Sequence, residues 1–107
     1  MKTGAELIAD ERKRQIEVEG WSAEHDAQYK HNELLIAAMC YLQPESNRMY
    51  DRLYESKNPD DINIPTSLWP WDERWWKPTP DNRIKELVKT GALIAAEIDR
   101  IQNLQNN

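Results

Sequence analysis

Four of the five tryptophans in the 107-residue chain are gathered between Leu68 and Pro78, in Leu68-Trp69-Pro70-Trp71-Asp72-Glu73-Arg74-Trp75-Trp76-Lys77-Pro78. An indole offers a wide flat face that stacks on a base or a cation, and an N–H for one oriented hydrogen bond. Stacking of a base on an aromatic ring contributes roughly 1–3 kcal/mol, so two exposed tryptophans make a platform. A segment so dense in indoles cannot bury every ring against its own backbone. Some rings are expected to wedge the segment onto helices in place of the absent phenylalanine, which leaves Trp71, Trp75 and Trp76 as candidates for contact with a ligand. Lys77 and Arg83, on either side of the Pro78–Pro80 step, are candidates for phosphate contact.

A second constellation lies near the N-terminus. Glu11, Arg14 and Gln15 are three and four residues apart, so on a helix they converge on one face. Arg14 is then a candidate fork for a phosphate or carboxylate and Gln15 a candidate hydrogen-bonding partner; the plain alternative is a solvated charged helix. His25-Asp26 with His31 invites a metal reading, but a hydrolytic metal site needs three or four ligands and no second His-Asp or Cys pair supplies them. No metal is expected, and His25 is read as oriented by a carboxylate and available to a ribose or base edge. Helical nucleoside triphosphate pyrophosphohydrolases of the MazG type hold magnesium with paired Glu-x-x-Glu and Glu-x-x-Asp motifs on two helices. Here Glu33 stands alone, and Glu97 and Asp99 are two apart, on different helix faces. Glycine-rich phosphate loops and serine or cysteine nucleophile motifs are also absent. The chain is therefore expected to have no catalytic residue and no cofactor.

The elements that must position these side chains are helical. Thr3 with Glu6 has capping-box spacing and Gly20 sits where a left-handed C-terminal cap belongs, so a first helix is expected over about residues 4–19. Ser22 can cap a short helical piece with Trp21 packed before it. From Glu33 to Leu42 apolar residues surround the axis, which predicts a central helix covered on most sides and ended by Gln43-Pro44. Ser46 can cap a third helix to about Ser56. All six prolines lie between Pro44 and Pro80, so a structured loop is expected from Lys57 to about Lys77 or Pro78. Thr79 as cap, Pro80 and Asp81 predict a last, longest helix to about Asn103, with a frayed tail over 102–107. Along it Ile84, Leu87, Val88, Gly91, Ile94, Ala95, Ile98 and Ile101 fall on one side, opposite Lys85, Lys89 and Arg100. Gly91 in mid-helix predicts close approach of another helix.

Length and charge bound the rest. The chain is the size of one all-α domain spanning 1–107, of about four helices with a Trp/Pro-rich loop before the last. Met1–Asp10 has no signal-peptide pattern and no apolar run is long enough to cross a bilayer, so a cytoplasmic protein is expected. The single cysteine, Cys40, lies in an apolar run and reads as a buried thiol. A net charge of −5 with scattered basic residues argues against duplex nucleic acid, but not against a nucleotide held by a few placed cations.

Taken together, Glu11-Arg12-Lys13-Arg14-Gln15, Glu19-Gly20-Trp21, Glu24-His25-Asp26, Glu33-Leu34, Trp69-Pro70-Trp71, Trp75-Trp76-Lys77-Pro78 and Leu87-Val88-Lys89-Thr90-Gly91-Ala92-Leu93-Ile94 resemble small phage and prophage proteins of the Ead type, encoded among accessory early genes of lambda-like phages. The resemblance spans nearly the whole chain. It departs at Asn32, where the family usually has Gly, and in a longer insertion before Trp69. It implies a phage origin and a dispensable, host-directed role in the host cytoplasm, and brings no established activity. The Gly20-Trp21 turn after a charged helix is also similar to ryanodine-receptor-type repeats, some of which bind nucleotides. The expectation is a non-catalytic sponge that sequesters a nucleotide or cyclic-nucleotide defence signal through Arg14, Gln15, His25, Trp71, Trp75, Trp76, Lys77 and Arg83. The alternatives are an inhibitor that binds a host protein through the tryptophan segment and, third, a MazG-like pyrophosphohydrolase. A homodimer or higher homo-oligomer is expected through the apolar stripe of the last helix.

Overall fold

A computed structural model describes residues 1–44 and 69–105. The helix expected over Ser46–Ser56 and the loop from Lys57 to Leu68 lie outside the described residues. The architecture is all-α. Helix α1 (Gly4–Glu17) leads through a turn to α2 (Ala23–Asp26) and α3 (Glu33–Leu42), and after the tryptophan segment with its 3-10 turn (Glu73–Trp75) the chain enters α4 (Arg83–Gln105). No helix among the described residues is long and apolar enough to cross a membrane.

The capping chemistry sets most boundaries. Thr3 and Glu6 form the reciprocal capping box: the Thr3 hydroxyl accepts from the Glu6 N–H at 3.2 Å and the Glu6 carboxylate from the Thr3 N–H at 2.9 Å. The helix ends two residues earlier than its spacing suggests. Val18 is its cap, Gly20 adopts φ +77°, and the Trp21 N–H returns to the Gln15 carbonyl at 3.0 Å, which folds the chain back over the helix end. Ser22 then caps α2 through the His25 N–H. Asn32 enters α3 with φ 63°, a left-handed conformation that asparagine tolerates better than other non-glycine residues.

The start of α4 corrects the sequence reading. Thr79 does not cap it; Thr79–Asn82 closes a turn, with the Asn82 N–H donating to the Thr79 carbonyl at 2.8 Å. The Asn82 side chain takes the Lys85 N–H at 3.2 Å and does the capping instead. The helix therefore begins at Arg83 and continues to Gln105.

Helices α1, α2 and α3 all pack on α4. The core combines Leu34, Ala37, Ala38, Cys40 and Tyr41 of α3 with Leu93 and Ala96 of α4 and with Trp76, and Cys40 is the buried thiol expected. Two further readings are corrected here. The face of α4 turned inward is that of Glu86, Thr90, Ala92, Leu93, Ala96 and Glu97, whereas Ile84, Leu87, Ile94, Ile98 and Ile101 are exposed. The small side chain of Ala96, packed with Leu93 against α3, lets that helix approach closely, and a branched isoleucine would hold it off. Helix α3 buries Leu34, Ala37, Ala38, Cys40 and Tyr41, while Leu35, Met39 and Leu42 are exposed, so one of the sides expected to be covered is open. Gly91 does meet a neighbour: a Cβ there would lie 2.5 Å from Cδ1 of Ile8, so α1 crosses α4 where a side chain is missing.

Candidate functional site

A cavity of about 510 Å³ opens between the C-terminal half of α1, the turn into α2, α3, the tryptophan segment and α4. Aromatic rings from three of these segments line it, Trp21 of the turn, Tyr41 of α3, and Trp69, Trp71 and Trp75 of the tryptophan segment, together with Tyr29 from the link between α2 and α3. The rings brace one another. Trp69 and Trp71 meet edge to face at 5.5 Å, Trp71 lies 5.4 Å from Tyr29, and the Trp69 N–H is anchored on the Asp72 carbonyl at 3.0 Å. Trp75, half exposed at the rim, carries the Arg74 guanidinium at 5.3 Å and the Lys77 ammonium at 6.0 Å from its ring.

Of the eight residues expected at a site, Arg14, Gln15, His25, Trp71, Trp75 and Lys77 are brought together in this wall. Trp76 and Arg83 are not. Trp76 is 7% exposed and stacks on Tyr41 at 4.6 Å, so it is a core residue. Arg83 donates to the carbonyls of Tyr41, Leu42 and Gln43 and to the Glu86 carboxylate, satisfying the free end of α3. Neighbouring Trp75 and Trp76 thus have opposite fates, which sequence spacing cannot tell apart.

Arg14 is in the wall but is not a free cation. Its Nε and Nη2 fork onto the two Glu11 oxygens at 2.8 and 2.9 Å, and its Nη1 reaches Glu19 at 3.0 Å. The hydrogen bond to Glu11, with Glu19, raises the Arg14 pKa well above its ordinary value. Burial acts to raise the Glu11 pKa, but the Arg14 hydrogen bond and charge, with Gln15, hold it below the ordinary carboxylate value. The expected phosphate fork is therefore spent inside the protein.

The cation that sequence reasoning missed is Lys89, which helical spacing set on the outer side of the last helix. Because α4 turns its other face inward, the Lys89 side chain enters the cavity wall, donates to the Lys77 carbonyl at 2.7 Å and lies over the Tyr41 ring at 5.2 Å. Burial lowers its pKa, with the Lys85 charge adding to the effect. The only available signal was its spacing from Leu93 and Ala96.

Asp26, also in the cavity lining, is 1% exposed. It accepts the His25 Nδ1 contact at 3.0 Å and faces Arg12 at 3.7 Å, while Arg12 also reaches Asp99 at 3.3 Å and the Trp21 carbonyl at 2.9 Å. Desolvation by burial raises the Asp26 pKa, against the pull of His25 and Arg12. The carboxylate thus orients His25, as its sequence neighbourhood suggested. The Gln28 amide meets His25 Nε2 at 3.2 Å. His31 is exposed and away from this pair, and no group of three His, Cys, Asp or Glu side chains converges as a metal site among the described residues.

Three buried polar atoms of the wall lack a hydrogen-bond partner among the described residues: Asp26 Oδ2, which still has the Arg12 charge at 3.7 Å, and two with no ion-pair partner, Gln15 Oε1 and Trp71 Nε1. Of these last two, one is an acceptor and the other a donor. Fold and cavity together define a small all-α domain with an aromatic-walled pocket whose charged groups are mostly paired internally. No protein-family model, curated protein or solved structure matches the chain.

Proposed function

We propose that the protein is a binding module that holds a nucleotide-like small molecule in the aromatic cavity without transforming it. One observation carries this reading: a cavity of about 510 Å³ that joins the faces of Trp71 and Trp75 to two lysine ammonium groups, Lys77 and Lys89. That volume falls within the ~300–1,000 Å³ of small-molecule sites. Base stacking on the indoles and phosphate contact at the lysines would use both kinds of wall. The carboxylates that a pyrophosphohydrolase would turn to magnesium are committed elsewhere, Glu97 to Arg100 and Asp99 to Arg12, which favours binding over hydrolysis. In the phage setting that the Ead-type resemblance implies, such a module acts in the host cytoplasm by sequestering a nucleotide-derived defence signal.

Native mass spectrometry of the purified protein, followed by thermal-shift screening against linear and cyclic nucleotides, tests the reading. A retained nucleotide, or a selective rise in Tm by mass action, is the expected result; no mass increment and no shift from any nucleotide would overturn it. A second reading, an inhibitor that docks on a host protein, is favoured by the half-exposed Trp75 and, separately, by the exposed stripe of Ile94, Ile98 and Ile101. The same stripe supports a homodimer, for which light scattering should give twice the chain mass.

A further inference from the structure

The most informative feature of the cavity is the pair of polar atoms left unused. Gln15 is 2% exposed, and its Nε2 donates to Glu11 Oε2 at 3.3 Å. A carboxylate only accepts, so this contact fixes the amide orientation and makes the carbonyl oxygen the atom without a partner. In the same wall the indole N–H of Trp71 is buried and equally without a partner among the described residues, although neighbouring Trp69 uses its N–H on Asp72. Buried polar groups in folded proteins are almost always paired, because an unpaired one loses its bonds to water and gains none. Asp26 Oδ2, the third such atom of the wall, has the Arg12 charge at 3.7 Å; Gln15 Oε1 and Trp71 Nε1, one acceptor and one donor, have no such partner and are complementary to a guest that brings the opposite pair.

The charge arrangement narrows that guest. Arg14 is held by Glu11 and Glu19, and Asp26 by Arg12 and His25, so the wall around Gln15 leaves no cation free for an anionic group. Lys89 spends one of its three ammonium hydrogens on the Lys77 carbonyl, leaving the others for an anionic group. The aromatic faces require the head of the guest to be flat.

We infer that Gln15 and Trp71 read the edge of a neutral heteroaromatic base, Gln15 Oε1 accepting from a base N–H and Trp71 Nε1 donating to an acceptor on the same base, with the anionic part of the ligand toward Lys77 and Lys89. This rests on the nucleotide reading and adds selectivity to it: the module distinguishes bases by their hydrogen-bonding edge and does not merely stack them. A site built to bond a ligand N–H discriminates strongly against an analogue that lacks it, since its own buried groups are then left unpaired.

Binding of the 5′-monophosphates of adenosine, guanosine, cytidine, uridine and purine riboside, measured by calorimetry on the full chain, tests this. Purine riboside keeps the stacking surface, the ring acceptors and the phosphate but has no base N–H. The tightest natural base should bind about 10-fold or more better than purine riboside monophosphate. In Gln15→Met that gap should shrink to within about 3-fold, with Tm not lowered, because the variant removes an orphaned buried carbonyl and keeps its volume. Trp71→Phe, which keeps an aromatic face and removes the N–H, gives a second reading of the same gap. Purine riboside monophosphate binding as tightly as the best natural base, or Gln15→Met and Trp71→Phe weakening all five alike, would overturn base-edge reading while leaving nucleotide binding intact. Failure of all five to bind would overturn the nucleotide reading itself, and this inference with it.

Discussion

Helix α4 meets two unlike neighbours. Toward α3 it buries Leu93 and Ala96 against Leu34, Ala37, Ala38 and Tyr41, with Trp76 stacked on top. Toward α1 and α2 the buried groups are Arg12 and Asp26, tied to each other and through Arg12 to Asp99 of α4, and Gln15, which bonds to Glu11. The first junction gains by removing apolar surface from water. The second loses free energy on desolvating its charges and recovers it only through complete pairing. Pairing there is incomplete: Arg12 Nη2 and Asp26 Oδ2 meet only as charges 3.7 Å apart, without a hydrogen bond, and Gln15 Oε1 in the cavity wall has no partner among the described residues. The apolar junction therefore supplies stability, and the polar one supplies the arrangement of the site.

If that division holds, the largest effect belongs to the apolar junction. Tyr41→Ala removes a ring that stacks on Trp76, meets Trp69 and accepts the Lys77 N–H at 3.1 Å, and should cost about 3–5 kcal/mol in urea unfolding. Tyr41→Phe keeps the ring and should cost only about 1 kcal/mol. Equal losses for the two would show that the hydroxyl, and not the packing, holds the tryptophan segment down.

On the polar side, Asp26→Ala leaves the buried Arg12 with only the partly exposed Asp99 as a carboxylate partner, for a loss of about 3 kcal/mol. Adding Arg12→Met should recover much of this. A double-variant cycle with no coupling energy would deny that the two act as one unit.

A smaller effect appears on acidification. The Asp26 pKa is raised by burial, so the folded state holds that proton more firmly; its contribution is most favourable below the ordinary 3.8 and declines as pH rises through the folded value. Glu11, held below its ordinary 4.5, contributes in the opposite sense: its share is present above that value and is lost as pH falls through the folded one. The two oppose each other in mild acid. Asp26→Asn removes one of them, so its stability should fall more steeply than the parent's below about pH 4.5, as read from urea midpoints at stepped pH.

The smallest expected change is at the crossing of α1 and α4. Gly91→Ala gains helix propensity but places a Cβ 2.5 and 2.8 Å from Cδ1 and Cγ1 of Ile8. A net loss of under about 1 kcal/mol should appear as a slight fall in Tm; a rise would mean that Ile8 turns aside freely.

Much of the fold was legible because its signals are local. Thr3 with Glu6, Ser22 and Gly20 each act within a turn of their own position, and the run from Glu33 to Leu42 is the helix its pattern describes. The candidate site was legible in part. Gln15, Trp71, Trp75 and Lys77 are in the wall as expected, whereas the roles assigned to Arg14, Trp76 and Arg83 failed for a common reason: a partner within the protein took each side chain. Glu11 and Glu19 hold Arg14, Tyr41 stacks on Trp76, and the end of α3 captures Arg83.

The sequence by itself determined that this chain is helical, where three of its helices begin, and which short segment carries its aromatic surface, because caps, prolines and periodicity are interactions between near neighbours. Only the tertiary structure decided which face of α4 turns inward, which of Trp75 and Trp76 reaches the cavity, and that Lys89 lines it in place of a free Arg14. A helix with isoleucines on one side and small residues on the other offers two faces that water would give up, and close packing against α3 selects the one that lets the backbones approach.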